Sequence, residues 1–228
     1  MNWYADGKPT NELWSYYRKL ARDYIVFLAY TGLRPGREVS EIRWRDVEQL
    51  TEYSREDGET VAEGVVRITR SKTGDRDPIV VNPQAAMALV RRKQESQFLD
   101  GADYVFCHPD PSNCAEPGSY YDGPDSVWKQ AMRETGLYLD PITGKPRPRY
   151  SLRHTYITAS QKAGVPMPAI IKQVGHTDAT MIMRFYGHTD ATDFKDDLRI
   201  DPYRAKPEQP AGRPIASTRH ITKDSPKE

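Results

Sequence analysis

Four separated segments of the chain carry basic and nucleophilic side chains that could act on a phosphate ester. They are Thr31-Gly32-Leu33-Arg34, Arg70-Ser71-Lys72-Thr73-Gly74, Tyr150-Ser151-Leu152-Arg153 and Val174-Gly175-His176, the last followed by Phe185-Tyr186. A phosphodiester repels nucleophiles, so cutting one requires positive donors, an in-line nucleophile and an acid for the leaving oxygen. Arginine suits the first task because its planar fork donates two hydrogen bonds and keeps its charge. Each segment alone is weak evidence, whereas the set suits phosphodiester chemistry.

In their order and local context these segments resemble the tyrosine recombinase, or phage integrase, family, over about residues 13–190. The resemblance implies the catalytic-domain fold of that family, mainly α with a small antiparallel β-sheet (α+β). It also implies an enzyme that cuts and rejoins DNA strands through a 3′-phosphotyrosine intermediate, with no cofactor and no obligatory metal. Members usually carry a further N-terminal helical domain that completes a clamp around DNA, and we expect that domain to be absent from this chain.

The resemblance gives each candidate residue a role. Arg34 and Arg153 would bind the phosphate oxygens, and Lys72 would protonate the departing 5′ oxygen. Tyr186 would attack phosphorus, with His176 as a phosphate ligand that assists proton movement. Ordinary structural roles are the alternatives: an exposed turn lysine for Lys72, and a core or helix-capping histidine for His176.

Three details depart from the family pattern. Tyr150 stands where the family has a histidine, and a phenol donates a hydrogen bond to phosphate but is a poor base near neutral pH. Glu38 resembles the acidic residue that braces the first catalytic arginine, but it lies four positions after Arg34 rather than the usual three. Ten positions, one more than is common, separate His176 from Tyr186.

The charge of the chain is unevenly distributed. Its 228 residues hold 33 Lys and Arg against 32 Asp and Glu, yet residues 141–190 hold seven basic residues against two acidic ones, an excess of five positive charges. Such a segment can bind a polyanion, although a solvated surface balanced by acids nearby is an equal alternative. If DNA is the partner, Arg147, Arg149 and Arg184 are candidate DNA-binding residues.

Composition excludes several classes of protein. A mean hydropathy of −0.77, with no run of about 20 apolar residues, argues against a membrane protein. Cys107 and Cys114 are too few for a disulfide scaffold and lack the neighbours that a metal site needs. The N-terminus lacks the pattern of a signal peptide, so we expect a cytoplasmic, nucleoid-associated protein of prokaryotic or viral origin.

Apolar periodicity and turn residues predict the elements that must position the site. The chain begins with a long amphipathic helix that runs to about Thr31. Two β-branched runs, residues 65–69 and 78–81, predict an antiparallel sheet whose hairpin contains Lys72. A short strand is predicted at residues 104–106. Further helices are predicted at residues 35–44, 85–94, 126–134, 151–162, 168–174, 179–186 and 193–200.

We therefore expect a catalytic domain at residues 1–200 and a disordered tail at residues 201–228. The main hypothesis is a site-specific DNA recombinase, a homotetramer on double-stranded DNA and a monomer or weak oligomer when free. Two alternatives remain: a DNA-binding protein of the same fold with weak or lost catalysis, and a topoisomerase-like enzyme.

Overall fold

The computed structural model describes residues 12–69, 76–109, 116, 118–121, 123 and 125–175. Its first element is the predicted long helix, α1 (Glu12–Thr31), whose inner face buries Leu20, Tyr24 and Phe27. The helix ends where Gly32 takes a φ of 67°, a left-handed conformation that glycine adopts at little cost. Gly32 thereby turns the chain toward Arg34, the first residue of the candidate site.

The helix predicted at residues 35–44 is wrong in its extent. The structure has only α2 (Arg37–Ser40), followed by a 3₁₀ turn at Trp44–Asp46. Tertiary hydrogen bonds take the place of the missing helix turn: the amide of Val105 donates to the carbonyl of Ile42 at 2.9 Å, and the amide of Trp44 donates to the carbonyl of Asp103 at 3.0 Å. Pairing with a distant segment outweighs the local helical preference of this stretch.

An antiparallel sheet of three strands, in the order β1-β2-β3, follows. The strands are β1 (Val47–Ser54), β2 (Thr60–Val66) and β3 (Ile79–Val81). The antiparallel pairing of β2 with β3 is confirmed, and their connection contains Lys72 as predicted. Sequence reasoning missed β1, because its mostly exposed residues lack the β-branched run that marks the other two strands.

The helix α3 (Pro83–Glu95) packs against α1 and the sheet, and Asn82 caps its first turn by accepting a hydrogen bond from the amide of Ala85 at 3.1 Å. The strand predicted at residues 104–106 is wrong. This segment forms only isolated bridges, Arg43 with Tyr104 and Cys107 with Tyr120. The two bridges go to different segments of the chain and are three residues apart, so no continuous ladder forms.

Three more helices complete the described part of the chain: α4 (Asp125–Glu134), α5 (Ser151–Lys162) and α6 (Met167–Val174). All three were predicted to within one residue at each end. The fold is therefore mainly α with a small antiparallel sheet, as expected. The helices predicted at residues 179–186 and 193–200, and the predicted tail, lie outside the described residues.

Candidate active site

The first candidate arginine is held by Glu38 through two contacts. The Arg34 amide donates to Oε2 of Glu38 at 2.9 Å, and the Arg34 Nη1 donates to Oε1 at 2.6 Å. The Glu38 side chain is 4% exposed. Pro35 and Gly36 make this spacing of four residues possible, because Gly36 at φ 96° turns the chain before α2 begins. Glu38 thus fixes both the backbone and the guanidinium of Arg34.

Arg153 lies on the buried face of α5, and the residue is 1% exposed. Its Nη1 donates to the carbonyl of Gly32 at 2.7 Å, whereas its Nε and Nη2 have no hydrogen-bond partner in the described chain. Burial, and secondarily the charge of Arg34, lower the pKa of Arg153 to about 10. A buried cation with three N–H donors, on Nε and Nη2, that have no partner in the described chain is energetically costly, and it is well placed to bind an anion.

A third arginine, Arg76, completes this cluster and was not among the predicted residues. Its Nη1 lies 3.3 Å from Oε2 of Glu38, and its Nη2 donates to the carbonyl of Gln173 at 2.5 Å. Burial, with a smaller contribution from the charge of Arg34, lowers the pKa of Arg76, although Glu38 opposes that shift. The available signal was a charged residue three positions before a short strand, which alone is too common to identify a site.

The three guanidinium groups form what we call the arginine cluster: Arg34, Arg76 and Arg153. Glu38 pairs with the first two, and Arg153 has no carboxylate partner among the described residues. The cluster therefore carries an excess of positive charge in a partly buried setting. Such a cluster favours binding of an oxyanion such as a phosphate, because one guanidinium can donate hydrogen bonds to two of its oxygens.

The end of α6 also contacts the arginine cluster. Gly175 ends that helix at φ 66°, and its carbonyl accepts a hydrogen bond from Arg34 Nη2 at 3.3 Å. A Cβ atom at Gly175 would lie 2.7 Å from Cζ of Arg76, so the close approach requires glycine as well. His176 is the next residue along the chain. His176, Tyr186, Lys72 and Arg184 themselves lie outside the described residues.

Tyr150 precedes α5, and its side chain is near the cluster but partly open to solvent. The residue is 36% exposed, and its ring lies edge-on to the ring of His154, with 5.2 Å between the centroids. Burial, and secondarily the charge of Arg153, lower the pKa of His154 below its ordinary value. Tyr156 is half-buried, with its ring directly over Gly32. The Tyr156 ring thus packs on the turn whose carbonyl holds Arg153.

The two described candidates for DNA contact, Arg147 and Arg149, line a cavity of about 370 Å³ together with Pro35, Trp128 and Tyr150. Each also has contacts within the chain. Arg147 lies 3.6 Å from Asp140, and Arg149 donates to the carbonyl of Gly123. Their part in DNA binding stays a prediction.

In the described ranges, 12–69, 76–109 and most of 116–175, no three His, Cys, Asp or Glu residues cluster closely enough to hold a metal ion.

None of the helices given above is both long and apolar enough to cross a membrane.

Comparison with known proteins identifies the family. The model of the phage integrase family matches residues 14–192. A curated relative, the "Putative defective protein IntQ" of Escherichia coli (strain K12), is 25% identical over 186 residues, which is 73% of this chain and 44% of the relative. The chain thus spans less than half the length of that relative.

Solved structures share the fold. The Tn1549 transposon integrase aligns with a TM-score of 0.51 and 17% identity, over 83% of this chain and 61% of its own. The XerH recombinase aligns with a TM-score of 0.55 and 15% identity, over 87% of this chain and 50% of its own. The XerA recombinase aligns with a TM-score of 0.53 and 18% identity, over 80% of this chain and 58% of its own. Since the family model covers more than half of the sequence, the chain belongs to the phage integrase family of tyrosine recombinases.

Proposed function

We propose that this chain is the catalytic domain of a site-specific DNA recombinase that cuts and rejoins strands through Tyr186. The observation that carries the proposal is Arg153, buried beside Arg34 with two guanidinium nitrogens that have no partner in the described chain. A scissile phosphate between these arginines would supply the missing acceptors. The proposed domain spans residues 1–200.

In the proposed reaction the phenolic oxygen of Tyr186 forms a bond to phosphorus as the bond from phosphorus to the 5′ oxygen breaks. Lys72 gives its proton to the departing oxygen, and His176 assists the removal of the phenolic proton. Arg34 and Arg153 donate hydrogen bonds to the non-bridging oxygens, on which negative charge increases in the transition state. The reverse reaction reseals the strand, so the exchange needs no ATP.

Double-stranded DNA is the proposed partner. The excess of five positive charges over residues 141–190 supports it, as do the related structures. The Tn1549 integrase was solved with a circular intermediate DNA and XerH with a difH substrate. We further propose a homotetramer on DNA and a cytoplasmic, nucleoid-associated location.

A second candidate function is DNA binding without turnover. Tyr150 favours it, because a phenol at this position is a weaker base than the family's histidine. The name of the curated relative IntQ describes a defective protein and points the same way. The two candidates make different predictions about covalent chemistry, which a trapping experiment separates.

The test uses nicked duplexes with randomised arms. After cleavage the short fragment between the cut and the nick diffuses away, and its loss prevents resealing. The wild-type chain should form a covalent adduct that survives denaturing electrophoresis, and sequencing the trapped DNA gives the site. Tyr186→Phe is the matched control and should form none, because only the hydroxyl is lost. Specific binding by the wild type without any adduct would overturn the enzyme proposal and favour the second candidate.

A further inference from the structure

The turn at residues 140–145, which we call the tip, holds an aliphatic side chain almost wholly in solvent. Ile142 is 93% exposed, more than any other large apolar side chain that the structure describes. Leu137 and Leu139, on the segment that leads to the tip, are 51% and 54% exposed. Single apolar side chains are common on protein surfaces, whereas several of them close together mark a contact surface. The tip and the segment before it are therefore a candidate contact surface for a partner.

Hydrogen bonds within the turn hold the tip in one shape. The amide of Asp140 donates to the carbonyl of Lys145 at 2.9 Å, and the amide of Gly144 donates to the carbonyl of Asp140 at 2.8 Å. The Asp140 carboxylate accepts from the amides of Ile142 at 3.0 Å and Thr143 at 2.8 Å. The backbone N–H groups around Ile142 thus have acceptors inside the turn. Because these groups do not depend on water, the tip can enter a dry contact at low cost, and its order is established before binding.

The chain that leaves the tip is basic. Residues 141–150 contain Lys145, Arg147 and Arg149 and no Asp or Glu. The carboxylate of Asp140 lies 3.6 Å from the Arg147 guanidinium, which offsets its charge. An apolar point bordered by cations suits DNA, because a duplex presents an apolar stack of bases between two rows of phosphates. Charge complementarity thus favours DNA over an apolar protein surface as the partner of the tip.

We propose that Ile142 is an apolar wedge that enters the minor groove of DNA and partly opens one base step, an inference that rests on the proposed function. The minor groove is about 6 Å wide, too narrow for a helix but open to the side chain of a tight turn. Lys145 and Arg147 bind the phosphates that border the groove. Because pyrimidine–purine steps such as TA unstack most easily, the wedge prefers such a step at its contact point. Ile142 is thus a specificity-determining residue that reads the deformability of DNA rather than its base edges.

The experiment uses 2-aminopurine, an adenine analogue whose fluorescence rises when it unstacks from its neighbours. The analogue is placed at successive positions of duplexes that are first selected from a randomised pool by binding to the wild-type chain. The bound wild type should raise the fluorescence at one step, and Ile142→Ser should not. Ile142→Ser should also weaken binding about 10-fold, because serine does not supply the apolar burial that offsets the cost of unstacking. The slope of the salt dependence should stay the same in this variant, since no charge is lost.

Two further variants separate the wedge from charge and from exposure alone. Lys145→Gln should make the slope of the salt dependence shallower by about one unit, for one lost phosphate contact, and keep the fluorescence response at saturation. Leu99→Ser is the matched control, since Leu99 is 48% exposed but is followed by Asp100 and Asp103, and it should leave affinity and fluorescence unchanged. Ile142→Ser itself should unfold at the wild-type temperature, because the side chain that it removes is almost wholly in solvent.

Binding by the wild type without a fluorescence change that depends on Ile142 would overturn this inference and leave the proposed function intact. A changed oligomeric state of Ile142→Ser with unaltered fluorescence would also overturn it, since the tip would then contact a second copy of the chain. A wild type that binds no duplex would overturn the proposed function as well. The wedge needs binding but no cleavage, so a missing covalent adduct in the trapping experiment tells against the enzyme proposal alone.

Discussion

At the scale of single residues, the described part of the chain contains two arginines that are at most 1% exposed, and they lie in opposite electrostatic settings. Arg153 has no carboxylate partner in the described chain, whereas Arg92 binds the buried Asp23 through its Nε at 2.7 Å. Arg153→Met removes a desolvated charge whose Nε and Nη2 have no partner in the described chain, and it loses one hydrogen bond, from Nη1 to the carbonyl of Gly32. We expect it to raise the free energy of unfolding by about 1 kcal/mol and to abolish cleavage.

Urea denaturation of Arg153→Met and of the matched variant Arg92→Met checks this prediction. Arg92→Met should lower the free energy of unfolding by about 2 kcal/mol, because it removes one charge-assisted hydrogen bond from the buried Asp23, which keeps its bonds to Arg22 and Arg91. A comparable loss of stability in both variants would mean that Arg153 serves the fold rather than an anion.

Substitution of Gly32 separates the cost of a left-handed backbone from the cost of a steric clash with Tyr156. Gly32→Ala would place a methyl group against the Tyr156 ring at a φ of 67°, while Gly136→Ala meets a similar φ of 71° with no heavy atom within 4 Å. Gly136→Ala should lower the free energy of unfolding by about 1 kcal/mol, the cost of the left-handed backbone alone. Gly32→Ala should lower it by about 1–3 kcal/mol more than Gly136→Ala does, because the methyl group also clashes with the ring. Thermal unfolding of the two variants measures the difference, and equal losses would contradict the packing of Tyr156 on this turn.

At the scale of elements, local pattern and tertiary pairing explain what the sequence could predict. Apolar periodicity located α1 and α3, and turn residues bounded α5 and α6, because a helix satisfies its own backbone within the segment. The strand β1 pairs with its neighbour β2 but lacks a β-branched run, so its mostly exposed residues carry no strand signal. The bridge of Tyr104 depends on the distant Arg43, so no local signal reveals it. The same holds at the candidate site: the motif predicted Arg34 and Arg153 as candidates, whereas only the folded contacts show that Arg76 lies beside them.

The outer edge of β3 gives a prediction for a whole element. The Gln173 side chain supplies both hydrogen bonds to the backbone of Val80 that a neighbouring strand would otherwise make. Gln173→Met should therefore speed hydrogen exchange at the Val80 amide about fivefold, the equivalent of one net hydrogen bond. Lys172→Met, which breaks only the exposed pair with Asp77, should leave that amide unchanged. Unchanged exchange in Gln173→Met would mean that the helix does not protect this edge.

At the scale of the whole molecule, near-neutral charge conceals a basic segment that should dominate DNA binding. The formal net charge is +1, but residues 141–190 carry the excess of five positive charges. If the seven basic side chains of that segment bind the DNA backbone, the plot of log affinity against log salt concentration should have a slope no steeper than about −6. Fluorescence anisotropy on a duplex of arbitrary sequence measures it.

Neutralising two arginines of that segment tests whether they contribute to the salt dependence of DNA binding. Arg147→Gln with Arg149→Gln should reduce the steepness of the salt dependence by about 2, one unit for each lost phosphate contact. Arg55→Gln removes an exposed charge from the turn between β1 and β2, outside the segment, and should leave the slope unchanged. An equal reduction of the slope per lost charge in the double variant and in Arg55→Gln would mean that DNA is attracted to the whole surface rather than to this segment. A shallower slope only for the pair would place the phosphate backbone beside Tyr150 and Arg153, where the proposed chemistry requires it.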